Sequence, residues 1–362
     1  MKFFLLILFG FLIIITNSNA ENFTTALSKA FKNNSELNAE RENINISEQE
    51  LKISQGNYLP TLTLSGSKSR EDTDKLTNQS GGNATINDID PLSKSILIEQ
   101  TLIDFGRGAQ LSKSKIGIKL AKAKLLKKEQ DILYKTTEAY TGLILANEKL
   151  KINRDNVELL SRQVETDQIR VERGQITLSD VSQSESSLAG AQAKLIQAEN
   201  ELLTSKLNYV NIIGLLNNSK SLDKNSINEY PLPESLNSAI ELAKKNNPDL
   251  IIAKLEHEQT QKDNTIAKSN LAPTANLSLE RSYVDDLSST IDQREKNTIK
   301  ATISWPFYSG GKNIASLKKN KSVEIRTRLI LDSVTKQNQT NVASAWSNYQ
   351  SNKSLLNSVQ AQ

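Results

Sequence analysis

The chain has 362 residues, of which 37% are hydrophobic and 5% aromatic, so bulky side chains are too scarce for large spherical cores but sufficient for long, thin helical packing. Its 45 basic and 41 acidic residues give a net charge of +4 and are interspersed without basic runs, which argues against a nucleic-acid surface. The sequence contains no cysteine, which excludes disulfides, thiolate catalysis, cysteine-bound metal and a lipidated N-terminal cysteine.

The N-terminus has the pattern of a secretory signal peptide over residues 1–20. Lys2 supplies the positive charge, an apolar run follows over 3–15, and Ser18-Asn19-Ala20 offers small residues for cleavage after Ala20. The apolar run is shorter than the roughly 20 residues that a helix needs to cross a bilayer. We therefore expect an exported chain that starts at Glu21 and crosses any membrane with strands.

Two predicted helices, over 22–34 and 36–56, precede a change of period. Over 58–68, leucines alternate with small hydroxyl residues, which predicts a strand. Residues 70–90 are polar and include Gly81-Gly82, so they predict an exposed loop. A second alternating stretch covers 94–104. Each strand has about ten residues, the length of a tilted transmembrane β-strand.

A coiled-coil hairpin over 106–214 is the dominant predicted element. Apolar residues recur every seven positions and keep a seam facing a partner helix. On the outgoing arm they are Leu111, Ile118, Leu125, Ile132, Ala139 and Ala146, continued by Leu143, Leu150, Val157, Val164 and Val171. On the return arm they are Val181, Leu188, Leu195, Leu202 and Tyr209. An outgoing arm of about 66 residues would be roughly 100 Å long.

The two arms are predicted to meet at a tip over residues 173–177. Gly174 can adopt the left-handed conformation that ends a helix. Asp180 lies in the first turn of the return arm, where a carboxylate interacts favourably with the helix dipole.

After a linker over 215–247, the order of elements repeats. Asn246-Asn247-Pro248 resembles Asn33-Asn34-Ser35, and Leu271-Ala272-Pro273 resembles Tyr58-Leu59-Pro60, both at an offset of 213. The stretch that starts at Trp305 corresponds to the one that starts at Gln100, at an offset of 205, because the loop over 283–297 is shorter. An internal duplication is therefore predicted.

The first repeat covers 21–214 and the second covers 248–362. The second contains a helix over 248–270, strands over 271–283 and 297–308, and an outgoing helix over 311–362. Its return helix is missing, so we expect the sequence to be truncated at its C-terminus.

Alternation assigns two faces to the four predicted strands. One set is expected to face lipid: Leu62, Leu64, Ile96, Ile98, Leu277, Leu279, Ile303 and Trp305. The other is expected to face a wet lumen: Thr61, Thr63, Glu99, Asn276, Ser278, Glu280, Lys300 and Thr302. Trp305, Phe307 and Tyr308 suit an interfacial aromatic belt. Four strands cannot close a barrel, and open edges are not tolerated in hydrocarbon. Several chains must pool strands, and three chains would give about twelve.

These motifs resemble those of the TolC-type outer-membrane efflux and type I secretion channels. The resemblance covers essentially the whole mature chain and is carried by residues 58–62, 100–106, 170–174, 180–181, 191–214 and 305–311. It implies a mainly α fold with transmembrane β: a homotrimer whose 12-stranded barrel in outer-membrane lipid continues as a periplasmic α-helical barrel.

The resemblance further implies a passive exit duct that docks to a periplasmic adaptor (membrane fusion) protein and to an inner-membrane ABC or proton-driven pump. By the same likeness, the adaptor would contact the tip residues Arg173, Gly174, Gln175, Thr177, Asp180 and Val181. The acidic rings of the family lie near the tip of the second hairpin, which this sequence lacks. The form Asp104-Phe105-Gly106-Arg107 is similar to that of members that serve type I protein secretion.

No catalytic residue, cofactor or metal is expected. The single histidine, His257, lies between Glu256 and Glu258, which point to different faces of a helix, so a solvated histidine is predicted rather than a metal ligand. No nucleophile elbow or phosphate loop is present in the sequence. The alternative is a periplasmic structural coiled-coil protein without channel activity, which would explain the hairpin but not the four alternating strands.

Overall fold

Long helices, a four-stranded antiparallel sheet and a short two-stranded one make up the structure, a computed structural model that describes residues 22–71, 76–77, 83–84, 89–215, 222–224, 232–288 and 291–361. The helices are α1 (Phe23–Asn33), α2 (Ser35–Gly56), α3 (Arg107–Glu172), α4 (Leu178–Ile212), α5 (Leu236–Asn246), α6 (Pro248–Ser269) and α7 (Lys312–Gln360). The strands are β1 (Thr61–Lys68), β2 (Leu76–Thr77), β3 (Asn83–Ala84), β4 (Leu92–Ile103), β5 (Thr274–Ser288) and β6 (Ile291–Ser304). The predicted signal peptide, Gly81-Gly82 and part of the predicted linker lie outside the described residues.

Several helix starts are fixed by side chains that bind the free backbone N–H groups of the first turn. Asn22 accepts the amide of Thr25 at 2.8 Å and caps α1. Asn247 accepts the amide of Asp249 at 2.8 Å and caps α6, whose first residue is Pro248. Proline suits this position because its missing N–H would have no partner within the helix.

One compact unit contains the described residues of 1–39 and 127–232. Its core includes Phe23 of α1 and Tyr140 of α3, whose rings meet edge to face at 5.4 Å. The Tyr140 side chain is fully buried, and its hydroxyl donates to the carbonyl oxygen of Asp223 at 2.9 Å. A buried hydroxyl is thereby satisfied at the centre of this unit.

Within the same unit, α4 runs beside the later part of α3. The small seam residues Ala191 and Ala198 are buried. At the margin of the seam, Lys149 binds Glu201 at 2.6 Å across the two helices. The seam is therefore apolar inside and bordered by exposed ion pairs, as heptad spacing predicts.

The other compact unit contains the described residues of 40–126 and 233–361. Its sheet has the strand order β1-β4-β5-β6, and all three pairings are antiparallel. A bulge between Thr101 and Ile103 shifts the register of β4 at its C-terminal end. Because a bulge adds one residue to a strand, it brings Ile103 opposite Ala275.

Helices pack beside one another in this second unit. The two hydroxyls of Ser54 on α2 and Ser114 on α3 lie 2.6 Å apart and buried. Lys113 of α3 binds Asp263 of α6 at 2.6 Å. Helices α5 and α6 both contact α7. Within the described part of the chain, no helix is both long enough and apolar enough to cross a membrane.

The structure differs from the predicted strand limits at the second hairpin. The sequence indicated a loop over 283–297, but β5 continues to Ser288 and β6 begins at Ile291. This added length is rich in charged residues, yet backbone ladder bonds form regardless of side-chain polarity when two strands are already in register. The polar stretch 70–90, predicted as a loop, likewise includes the short pair β2 and β3.

Candidate functional site

The register of the four strands places the two predicted side-chain sets on opposite faces of the sheet. Residues directly opposite each other in antiparallel strands share a face. Leu62 lies opposite Ile98, Ile98 opposite Leu279, and Leu279 opposite Ile299. This rung crosses all four strands and is apolar throughout. It defines the apolar face of the sheet.

The apolar face is exposed in this chain. Leu64 is 71% exposed, Ile299 78% and Ile303 77%. Arg281 lies opposite Ile96 at one margin of this face and binds Glu295 at 3.5 Å. An extended surface of large aliphatic side chains is unusual on a protein that meets only water, and it indicates contact with lipid or with another protein.

The opposite side of the sheet is the polar face. Thr61 lies opposite Glu99, Glu99 opposite Ser278, and Ser278 opposite Lys300. On the next rung Glu280 lies between Leu97 and Thr298. The predicted lumen residues Thr63, Asn276 and Thr302 have the same alternation and share this face.

The predicted aromatic belt residues lie just after β6. Trp305, Phe307 and Tyr308 are 60%, 85% and 84% exposed. Trp305 was predicted to be a strand residue facing lipid, but β6 ends at Ser304, and its indole Nε1 donates to the carbonyl oxygen of Leu271 at 3.0 Å. Its ring meets that of Phe307 edge to face at 5.8 Å. An indole with one hydrogen-bonded edge and one exposed ring suits a membrane interface.

Arg107, at the start of α3, was named in the sequence only as part of Asp104-Phe105-Gly106-Arg107, and its structural role was not predicted. It is only 8% exposed. Its guanidinium donates to the carbonyl oxygens of Asn57 at 3.2 Å and Thr101 at 2.9 Å, and lies 4.9 Å from the ring centre of Tyr58. One cation thus joins the end of α2, the end of β4 and the start of α3. Its place after Gly106, at the junction of strand and helix, was the sequence signal that could have indicated this role.

The hairpin tip is built from two standard motifs. The amide of Gly174 donates to the carbonyl of Val171 at 2.8 Å, and that of Gln175 to the carbonyl of Arg170 at 2.8 Å. With Gly174 at a φ of +69°, this is a Schellman motif, which ends α3 and satisfies its last carbonyls. At the start of α4, Thr177 and Asp180 form a capping box.

The Asp180 carboxylate is held by its cap. The Thr177 amide donates to its Oδ2 at 2.9 Å and the Thr177 hydroxyl at 2.8 Å. The backbone hydrogen bond first, and then the side-chain hydrogen bond, lower the pKa of Asp180 below its ordinary value. The tip therefore carries a fixed negative charge, and the nearby positive charge of Arg170 lowers the pKa of Asp180 further.

The tip residues named from the sequence do not share one environment. Arg173, Gly174, Gln175, Thr177 and Asp180 are exposed. Val181 is only 6% exposed, which places it in the core of the hairpin instead of on the surface. It supports the tip but does not present a side chain to a partner.

The prediction of a solvated His257 is wrong, because the side chain is half-buried between α6 and α7. Its Nδ1 lies 3.1 Å from the hydroxyl of Thr327, and its Nε2 lies 3.2 Å from the amide nitrogen of Gln261. A chain of polar contacts thus crosses the two helices. Within the described ranges, no group of three or more His, Asp and Glu residues is placed to hold a metal ion.

Comparison with known proteins identifies the family. The model of the outer membrane efflux protein family matches residues 26–215 and 239–362, and the chain belongs to this family. It is similar to the outer membrane efflux protein BepC of Brucella suis, with 26% identity over 331 residues, 91% of this chain and 70% of BepC. It is also 24% identical to the alkaline protease secretion protein AprF of Pseudomonas aeruginosa, over 72% of this chain and 55% of AprF.

The fold matches those of solved outer-membrane channels. The outer-membrane channel OprN superposes with a TM-score of 0.79 at 18% identity, over 94% of this chain and 76% of OprN. The resemblance to TolC-type channels is thereby confirmed, and so is the placement of the protein in the outer membrane as an efflux or secretion channel.

Proposed function

We propose that three copies of the chain pool their sheets into one outer-membrane barrel, which acts as a passive exit duct for an efflux or type I secretion machine. The observation that carries this proposal is the two-faced sheet with two outer strands, β1 and β6. An unpaired strand edge is costly in hydrocarbon because its backbone groups have no partner there. Pairing β6 of one copy with β1 of the next satisfies both edges.

The height of the apolar face supports a membrane position. Tyr283 lies opposite Glu295, and Trp305 follows ten residues after Glu295. At about 3.3 Å per residue and a strand tilt of about 40°, ten residues rise roughly 25 Å. That is the height of the apolar band of outer-membrane barrels, and aromatic side chains stand at both of its margins.

Cross-linking between copies tests the edge pairing directly, because the chain has no cysteine of its own. A variant that carries Ser65→Cys on β1 and Thr298→Cys on β6 should give dimers and trimers on oxidation in outer-membrane fractions. Lys296→Cys and Lys300→Cys replace Thr298→Cys in parallel variants, which covers neighbouring registers. If none of the three cysteine pairs gives cross-linked trimers, the proposed barrel is refuted.

The matched control places the two cysteines inside one sheet. Ser95 of β4 lies directly opposite Ser282 of β5. The pair Ser95→Cys and Ser282→Cys should close within one chain and leave its mass unchanged on a gel. Intermolecular products from this pair would show that the other cross-links arise from random collisions.

We further propose that the exposed tip residues Arg173, Gln175 and Thr177 contact a periplasmic adaptor, which connects the duct to an inner-membrane pump. The exposure of these side chains and the tight turn at Gly174 support this role, because a narrow end leaves room for a partner to approach. Arg173→Glu should reduce co-purification with the adaptor while leaving the oligomer intact. Equal recovery of the adaptor with this variant would refute the contact.

The alternative of a periplasmic coiled-coil protein makes different predictions. A periplasmic coiled-coil protein should be extracted without detergent. It should also show no conductance in planar bilayers. Both properties should be measured for the 362-residue chain and for a version extended beyond Gln362 by a designed return helix. Conductance by either version, together with a need for detergent, would reject the coiled-coil alternative.

A further inference from the structure

The polar face of the sheet has an unusual composition for a surface that carries charge. Most of its side chains are serine or threonine: Thr61, Thr63, Ser65, Ser95, Thr101, Ser278, Ser282, Thr298 and Thr302. Between Thr101 and Ser282 its acidic residues are Glu99 and Glu280, and its basic residues are Lys296 and Lys300. No aromatic side chain occurs on this face within the described strands.

The register intersperses these charges. Glu99 and Lys300 lie on one rung with Ser278 between them, so about two strand spacings, roughly 9.6 Å, separate their backbones. Glu280 lies opposite Thr298 and is therefore diagonal to both Lys296 and Lys300, at about 7–8 Å. Each acidic group thus has a basic neighbour at a backbone separation comparable to the Debye length of about 8–10 Å at physiological salt.

We propose that Glu99, Glu280, Lys296 and Lys300 make the polar face a charge-balanced duct wall, which passes ions and mixed-charge polypeptide segments without selecting by sign. This inference rests on the proposed function, since it requires the polar face to line a lumen. Selective pores achieve their preference with rings of one charge sign. Over the rungs between Thr101 and Ser282, three copies contribute equal numbers of both signs, so the fields cancel over a short distance.

The wall also lacks features that would retain a passing chain. Hydroxyl groups exchange hydrogen bonds with water readily, and the face offers no aromatic platform on which a side chain could stack. Leu97 is the exception within its rung, and it stands alone between polar neighbours. A polypeptide with scattered acidic and basic residues would therefore meet weak attraction and weak repulsion in alternation.

Ion selectivity in planar bilayers under a potassium chloride gradient tests this assignment. The channel without substitutions, formed by the 362-residue chain or by its extended version, should show a K⁺ to Cl⁻ permeability ratio within about twofold of one, because its wall has no net charge. Removing the positive charges with Lys296→Gln and Lys300→Gln should raise the ratio at least about threefold. Removing the negative charges with Glu99→Gln and Glu280→Gln should lower it by a similar factor.

A matched control lies on the other face of the same strands. Arg281→Gln also removes a positive charge from β5, but Arg281 belongs to the apolar face. It should leave the permeability ratio unchanged. A shift as large as that of the lysine variant would show that the two faces are assigned the wrong way round.

The outcomes separate this inference from the function on which it rests. Absence of conductance in every variant, including the extended chain, would overturn the duct itself. If the unsubstituted channel conducts but is strongly selective, the charge-balanced wall is refuted and the duct is not. The same holds if none of the polar-face variants alters the K⁺ to Cl⁻ permeability ratio. Opposite shifts in the lysine and glutamate variants, with no shift in the control, would support the charge-balanced wall.

Discussion

Replacing Gly174 by alanine tests whether the hairpin tip depends on a left-handed residue. Gly174 has a φ of +69°, and a Cβ added there would meet no atom within 4 Å. Any cost must therefore come from the backbone and not from a clash. Alanine in this conformation costs about 1–2 kcal/mol, partly offset by about 0.4–1 kcal/mol because alanine restricts the unfolded chain.

The same substitution at Gly190 should act in the opposite direction. Gly190 lies inside α4, and a Cβ added there also meets no atom within 4 Å. Alanine is favoured over glycine in a helix interior by about 0.8–1 kcal/mol. The same substitution should therefore destabilise the hairpin at Gly174 and stabilise it at Gly190. Comparing the two variants controls for any general effect of adding a methyl group.

Hydrogen exchange followed by mass spectrometry measures both effects locally. With a net loss of about 1 kcal/mol, Gly174→Ala should speed exchange in peptides over the tip about fivefold, and Gly190→Ala should slow exchange around position 190 by a similar factor. Gly174→Asn should fall between parent and alanine, because asparagine tolerates the left-handed region better. Slower exchange at the tip of Gly174→Ala would refute the reasoning.

Three further predictions concern other contacts. Hydrogen bonds lower the pKa of Asp180 in the folded protein. The stabilisation that they provide is therefore complete above the ordinary pKa of 3.8 and is lost as the pH falls through the lower folded-state pKa. Hydrogen exchange at the tip should rise in acid for the unsubstituted protein but not for Asp180→Asn. Tyr140→Phe should destabilise the protein by about 1 kcal/mol in thermal unfolding, while Tyr134→Phe on an exposed part of α3 should not. Gly106→Ala should lower the unfolding temperature by forcing a Cβ against the Ser269 hydroxyl, with a cost of about 1–3 kcal/mol. Adding Ser269→Ala should recover part of the loss, because the contact of the Cβ with Asp104 Oδ1 at 3.2 Å remains.

The two faces of the sheet could be predicted because a strand has an exact side-chain period of two. Leu62 and Ile98 were assigned to one face from alternation alone, and the register brings them opposite each other. The extent of β5 and β6 could not be predicted in the same way. Over 283–297 the side chains are mostly polar on both faces, so alternation carries no signal, and only pairing with the neighbouring strand holds the chain extended.

The environment of His257 was missed for a different reason. A helix sequence shows which residues share a face, but it does not show which neighbouring helix covers that face. Thr327, the partner of His257, lies 70 residues further along the chain. Because Thr327 is polar, it does not belong to an apolar heptad pattern that would predict a contact with α6. The contact can be recognised only when α6 and α7 are packed together.

The junctions between strands and helices link the sequence repeat to the structure. Gln100 and Trp305 correspond at the predicted offset of 205, and Tyr58 and Leu271 correspond at 213. In the first junction Gln100 Nε2 donates to the carbonyl oxygen of Tyr58 at 3.3 Å; in the second, Trp305 Nε1 donates to that of Leu271 at 3.0 Å. In both places a side chain near the end of a strand donates to the carbonyl oxygen two residues before a proline. An amide and an indole thus bind carbonyl oxygens at corresponding places of the two predicted repeats.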